Sequence, residues 1–180
     1  MGAALVVLGA GAALTWLVPP DSSDLVSADE AQSRQTEFTQ LEQLPVSMVA
    51  SAEIDAALDE MQLAPTDRAE LRERLEGADP SAAPGSPAKK ELQLARVSLW
   101  DTHAQDGDVV AVSSSGYRRE VLITNAPQVV FVPVDGAAVV QIIGVRDGGG
   151  GITLGASGSD GSVLMPIMAV GQTIGLPVKF

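Results

Sequence analysis

Residues 128–145 read QVVFVPVDGAAVVQIIGV, two apolar runs separated by Asp135 and Gly136. Valine and isoleucine favour extended strands, and an Asp-Gly pair between two such runs predicts a β-hairpin. Both runs are apolar at most positions, which is typical of strands that are buried on both faces. This stretch therefore predicts the centre of a β-sheet.

Similar short runs continue on both sides of this stretch, separated by turns rich in Gly, Asp and Ser. About eight short strands over residues 89–180 predict a mainly β fold whose C-terminal domain is an antiparallel β-sandwich. We expect Trp100, the largest side chain of this domain, to fill the core between its sheets. The predicted strands are residues 92–100, 108–113, 117–124, 128–134, 137–145, 152–154, 163–169 and 173–178.

The composition of the 180-residue chain excludes several classes of function. It has no Cys and one His, which excludes disulfide scaffolds, thiol catalysis and a multi-histidine metal centre within one chain. Of the net charge of −12, residues 21–88 carry −11, from fifteen acids and four arginines, and residues 89–180 carry −1, from eight acids and seven bases. Because the bases are few and scattered, we expect no binding to nucleic acid.

The N-terminal residues 1–20 are uncharged and mostly apolar. Residues 2–18 would form a helix of roughly 25 Å, slightly shorter than the hydrocarbon core of a bilayer, and Pro19 and Pro20 end it. We expect a membrane anchor that places the rest of the chain on the extracytoplasmic side, in the periplasm or at the cell surface. A cleaved signal peptide and a buried soluble helix are the alternatives.

Three further segments connect this predicted anchor to the β-domain. Residues 21–47 are acidic and polar and predict a stalk, with a marginal helix over residues 28–43. Residues 48–77 carry apolar side chains at helical spacing on both sides of Pro65, which predicts a short helical hairpin. Residues 78–88, ADPSAAPGSPA, have the composition of a linker.

The predicted hairpin over residues 48–77 has two interpretations. Two short amphipathic helices bury little surface by themselves, so they could dock a protein partner or associate with a second copy. Alternatively, the pair packs on the C-terminal domain or acts as a spacer.

A cluster of acidic residues is the main candidate for a chemical site. Asp101, Asp106 and Asp108 lie in one loop between two predicted strands, and Asp147 opens a glycine-rich loop. Carboxylates that converge from loops at one end of a sandwich predict a Ca²⁺ site. The alternative is a turn in which these side chains accept hydrogen bonds from nearby amides. The remaining candidate binding residues are His103, Gly148, Gly149, Gly150 and Gly151, which would form a loop surface.

The sequence favours a non-catalytic function. No nucleophile and base stand together in a recognisable motif, and apart from tentative Ca²⁺ we expect no cofactor. We expect a membrane-anchored binding or structural module of the cell envelope that engages a protein partner. The alternatives are a Ca²⁺-dependent module that binds a glycan, a lipid headgroup or a protein through its Asp-bearing loops, and an enzyme accessory or minor hydrolase that uses His103 with a nearby carboxylate.

Overall fold

The computed structural model describes residues 26–77, 92–135 and 138–180. The fold is mixed α/β and mostly strands, with two five-stranded sheets and three helices. The helices are α1 (Ala28–Gln40), α2 (Ile54–Glu60) and α3 (Pro65–Glu76), and a 3-10 turn (Ser51–Glu53) precedes α2. The strands are β1 (Leu44–Pro45), β2 (Ser47–Met48), β3 (Leu92–Asp101), β4 (Val109–Ser114), β5 (Tyr117–Leu122), β6 (Gln128–Asp135), β7 (Ala138–Arg146), β8 (Leu154–Ser157), β9 (Ser162–Leu164) and β10 (Thr173–Lys179).

The two sheets differ in strand direction. The first has the order β1-β10-β7-β4-β5 and is mixed, because β1 runs parallel to β10 while every other pair is antiparallel. The second is antiparallel: β3 pairs with β6 along one edge and with β2 and β8 along the other, and β9 follows β8. Buried residues from both sheets form one hydrophobic cluster. The antiparallel prediction for residues 89–180 therefore holds for the strands of that range in both sheets. The first sheet is mixed because β1 joins it from the segment predicted as a stalk, and for β1 the stalk prediction is wrong.

The hairpin predicted for residues 128–145 is also wrong. Strand β6 pairs with β3, from Leu92 opposite Asp135 to Leu99 opposite Gln128, whereas β7 lies between β10 and β4 in the other sheet. An Asp-Gly pair indicates that the chain reverses. It does not determine whether the two strands pair with each other or face each other across a core. Here Val132 of β6 and Val140 of β7 are both completely buried in the shared cluster.

Residues 44–48 contribute a strand to each sheet, although residues 44–47 lie in the predicted stalk and Met48 starts the predicted helical hairpin. Leu44 of β1 lies opposite Val178 of β10, and Ser47 of β2 lies opposite Arg96 of β3. Leu44 and Val46 are 1% and 4% exposed. Two-residue strands carry no alternating pattern, so no sequence signal identifies them.

The helices at residues 54–60 and 65–76 pack on the sheets. Helix α2 contacts β6 and helix α3 contacts β3. Their apolar side chains Leu58, Met61 and Leu71 are buried in the same cluster as the strands. Of the two interpretations of the predicted hairpin, packing on the C-terminal domain is the one observed.

Trp100 does not fill the core between the sheets, contrary to expectation. Its neighbours Leu99 and Asp101 are buried, and Trp100 is partly buried on the opposite face of β3. There its indole ring lies over Gly155, the cross-strand partner in β8, where a Cβ atom would overlap the ring. Successive side chains of a strand point to opposite faces, so the same strand cannot direct Leu99 and Trp100 into one core.

Within the described ranges, no helix has both the length and the apolar character needed to cross a membrane. The predicted anchor, residues 1–20, and the predicted linker, residues 78–88, lie outside the described residues.

Candidate metal centre

The loop between β3 and β4 brings three carboxylates together. Asp101 is the last residue of β3, Asp108 directly precedes β4, and Asp106 lies in the turn between them. Carboxylate oxygens from the three residues lie within 4.8 Å of one another. Asp101 and Asp108 are 2% and 1% exposed, and Asp106 is partly buried. Asp101, Asp106 and Asp108 therefore form a compact and largely buried group, which we call the carboxylate cluster.

Part of this cluster is satisfied by neighbouring donors. Asp101 Oδ1 accepts hydrogen bonds from Thr153 Oγ1 at 2.7 Å and from the His103 amide at 2.9 Å. Asp108 Oδ1 accepts from the Gly148 amide at 2.9 Å, and Asp108 Oδ2 accepts from the Thr153 amide at 3.4 Å. These bonds fix the orientation of the two buried carboxylates.

The other side of the cluster lacks donors. Asp101 Oδ2 and Asp106 Oδ1 are buried, and neither has a hydrogen-bond partner among the described residues. A buried polar atom without a partner is unfavourable, and more so when it carries charge. These two oxygens need a ligand that the described part of the chain does not supply.

The raised pKa of Asp108 is a second sign that the cluster lacks positive charge. The pKa of its carboxyl is raised to about 6, mainly by burial and also by the nearby negative charges of Asp106 and Asp101, against the lowering effect of the hydrogen bonds from Gly148 and Thr153. Among the described residues, no Lys, Arg or His side chain forms an ion pair with any of the three carboxylates. A proton or a bound cation would relieve the repulsion.

The geometry fits a single cation. Two oxygens that bind one Ca²⁺ at 2.3–2.6 Å lie at most about 5 Å apart, and the observed separations are within 4.8 Å. All the candidate ligand atoms are oxygens, which hard cations prefer. The adjoining cleft is lined by Asp106, Asp108, Thr153, His103, Gly149 and Gly151. Calcium accepts a flexible arrangement of oxygen ligands, whereas magnesium demands near-ideal octahedral geometry and keeps several waters, so fixed and buried carboxylates favour calcium.

The structure does not bring Asp147 into the cluster. Its Oδ1 accepts hydrogen bonds from the amides of Gly149 and Gly151, at 2.8 and 3.2 Å. Asp147 thus stabilises the glycine loop. For this residue the alternative prediction holds, namely a turn in which the side chain accepts hydrogen bonds from nearby amides. Of the predicted glycines, Gly148 reaches the cluster through its amide, and a Cβ at this position would overlap Asp106.

His103 lies beside the cluster and faces α1. Its Nδ1 is 3.3 Å from Arg34 Nη2, so the neutral ring accepts a hydrogen bond there, and its Nε2 is 3.7 Å from Glu30 Oε2. Arg34 also donates to Glu30 Oε1, and these bonds lower the pKa of the Glu30 carboxyl below its usual value. The histidine is therefore held by the first helix.

Sequence reasoning missed two residues of this region, Thr153 and Arg34. Thr153 is 2% exposed and donates to two of the carboxylates. It lies forty-five residues after Asp108, in no motif that links the two. Arg34 belongs to a segment whose composition indicated a solvated stalk. A charged residue in a polar helix gives no sign that it will be buried.

Comparison of the chain with family models, curated proteins and solved structures finds no match in any of the three.

Proposed function

We propose that the protein is a non-catalytic β-sandwich module in which Ca²⁺ binds the carboxylate cluster and stabilises one end of the two sheets. The observation that carries the proposal is the pair of buried, unpartnered oxygens, Asp101 Oδ2 and Asp106 Oδ1, beside the third carboxylate of Asp108. Calcium bound there would supply the missing positive charge and join the β3–β4 loop to the glycine loop.

A structural role for this cation has better support than a role in bridging to a ligand. A calcium ion that bridges to a glycan or a lipid headgroup needs coordination positions open to solvent. Here Asp101 and Asp108 are almost completely buried, at 2% and 1% exposure. The cation would therefore act on the stability and rigidity of the loops.

Thermal unfolding of the full-length protein, in calcium and in chelator, tests this proposal. A ligand that binds only the folded state stabilises it by about 2.7 kcal/mol at one hundred times its Kd, which corresponds to an increase in Tm of roughly 5–10 °C for a chain of this size. Asp101→Asn and Asp106→Asn should reduce this increase strongly. Asp147→Asn is the matched control, because Asp147 is an aspartate of the neighbouring loop outside the cluster, and it should keep the calcium response.

An unchanged Tm at millimolar calcium would refute the proposed site. So would a calcium response that survives Asp101→Asn and Asp106→Asn unchanged, since the ion would then bind elsewhere. Magnesium at the same concentration should give a smaller increase, because it demands near-ideal octahedral geometry and loses its waters reluctantly, which suits fixed and buried carboxylates poorly.

Membrane attachment through residues 2–18, an extracytoplasmic location and engagement of a protein partner belong to the same proposal. The apolar N-terminal sequence supports the first, and the mostly β fold is the ground for the second. Flotation of the full-length protein with liposomes, compared with a chain that lacks residues 1–20, tests the attachment. Self-association through residues 48–77 has weaker support, because the apolar side chains of both helices are already buried against the sheets.

A further inference from the structure

Helix α1 packs against β9, and the one residue that it buries carries a charge. Arg34 is the only buried residue of this 13-residue helix and is 2% exposed. Helices normally dock through an apolar stripe, and α1 contributes only the partly buried Phe38 to the edge of the core. The bonds that Arg34 makes therefore contribute to holding α1 in place.

Arg34 binds the loop that carries the carboxylate cluster. Its Nη1 donates to Thr102 Oγ1 at 2.9 Å, and its Nη2 lies 3.3 Å from His103 Nδ1. Both residues directly follow Asp101, and the His103 amide donates to Asp101 Oδ1. The loop residues that receive Arg34 are thus joined by backbone to a cluster carboxylate.

We infer that calcium binding at the carboxylate cluster and docking of α1 are energetically coupled through Thr102 and His103. The inference rests on the proposed calcium site. Calcium would hold residues 101–108 in one conformation and so fix the two acceptors in the positions that Arg34 requires. Arg34 would in turn hold the same loop in the conformation that binds calcium, because coupling between two sites is reciprocal.

The coupling is expected to be positive, so that calcium binding and α1 docking each strengthen the other. Arg34 is paired with Glu30 at 2.7 Å, so the helix brings little net charge toward the cation. The remaining effect is preorganisation of the shared loop, which makes each event favour the other. Arg34 is accordingly a positioning residue for the calcium site and lies outside the set of ligands.

Calcium titration by calorimetry and hydrogen exchange of residues 28–40, both on the full-length protein, test this inference. Arg34→Gln and Thr102→Val should each weaken calcium binding about tenfold, within the usual range of coupling between sites. The double variant should bind calcium about as weakly as either single variant, because both changes remove the same contact. Calcium should slow exchange in α1 of the unmodified protein and leave it unchanged in Asp101→Asn.

Arg72→Gln is the matched control. Arg72 is an arginine of α3, ion-paired with Asp55 at 2.7 Å and with Glu76 at 2.7 Å, and its replacement should leave calcium affinity unchanged. Thr102→Val changes only a few atoms, so it tests the coupling even where Arg34→Gln unfolds. Unchanged calcium affinity in Thr102→Val, with α1 exchange insensitive to calcium, would overturn the coupling and leave the site intact. Absence of calcium binding by the unmodified protein would overturn both proposals.

Discussion

Thr153 donates its side-chain hydroxyl to Asp101 Oδ1 at 2.7 Å, and both residues are 2% exposed. The bond joins the end of β3 to the residue that precedes β8 and holds one oxygen of the carboxylate, leaving Oδ2 directed away from any described donor. This hydroxyl, together with the His103 amide, orients the Asp101 carboxylate.

Replacement of Thr153 by Val should destabilise the protein. The substitution keeps the shape of the side chain and removes a hydrogen bond to a buried carboxylate, so we expect a loss of about 2 kcal/mol in the free energy of unfolding. Urea unfolding in chelator measures this loss. Thr153→Ser keeps the hydroxyl and should lose less than half as much. A Thr153→Val variant as stable as the original protein would show that the hydrogen bond does not stabilise the fold.

The raised pKa of Asp108 predicts an unusual dependence of stability on pH in the absence of metal. Its carboxyl has a pKa of about 6 in the folded protein, compared with an ordinary value of 3.8, so the folded state binds the proton more tightly. The stabilisation from this proton is complete below about pH 4 and is lost as pH rises through about 6. Most structural carboxylates show the opposite trend.

Asp108→Asn isolates this dependence, because the amide does not titrate. The free energy of unfolding of the original protein minus that of the variant should decrease between pH 4 and pH 7, measured by urea unfolding in chelator. Only the slope is informative, since the amide group also changes the hydrogen bonds with Gly148 and Thr153. A difference that stays constant over this range would mean that Asp108 is not protonated near pH 6. Asp160→Asn, at an exposed turn, should show no such slope.

Gly148→Ala should disrupt the cluster without removing any carboxylate. A Cβ at this position would overlap the Asp106 carbonyl and lie 2.5 Å from its Oδ1, so the two loops would have to separate. We expect calcium affinity to fall at least tenfold, read from the calcium-induced change in Tm. Gly161→Ala is the control for backbone freedom, since Gly161 has a φ of +124° and open space around its Cβ position. If Gly148→Ala binds calcium normally, the close approach of the loops is not required.

The segment at residues 44–48 should be essential for the fold of the C-terminal strands. Leu44→Ala removes a side chain that is 1% exposed and should cost about 2–5 kcal/mol. The change in the urea midpoint measures this cost. The matched control is Leu122→Ala, at a leucine that is 51% exposed, and it should lose less than 1 kcal/mol. A loss of less than 1 kcal/mol for Leu44→Ala would mean that residues 89–180 form an independent domain.

Most of the strands could be predicted because alternation and turn residues are local properties. Eight of the ten strands, β3 to β10, overlap predicted ones, and the helices α2 and α3 lie where apolar spacing and Pro65 indicated. The assignment of strands to sheets could not be predicted in the same way. Residues 128–145 show this, since the same apolar pattern suits a hairpin and a pair of strands that face each other across a core.

In the candidate site too, residues close in sequence could be predicted, and residues brought in by tertiary contacts could not. The short spacing of Asp101, Asp106 and Asp108 predicted that they meet, because one loop between adjacent strands holds all three. The contribution of Thr153 depends on pairing of β8 with β3, and that of Arg34 on packing of α1 against the loop. Contacts of that kind arise from tertiary structure, and the residues that make them carry no local signature.

The parallel pairing of β1 with β10 has a mechanical consequence. A chain attached to a membrane by its N-terminal segment and to a partner by its body would carry tension along residues 26–43 into β1. β1 and β10 lie toward opposite ends of the chain and run in the same direction. Such tension would therefore pull along the two strands, and their hydrogen bonds would bear the shear force together. With only Leu44 and Pro45 in register, the β1–β10 pairing is short, and under force it would slip once α1 has been pulled away from Thr102 and His103.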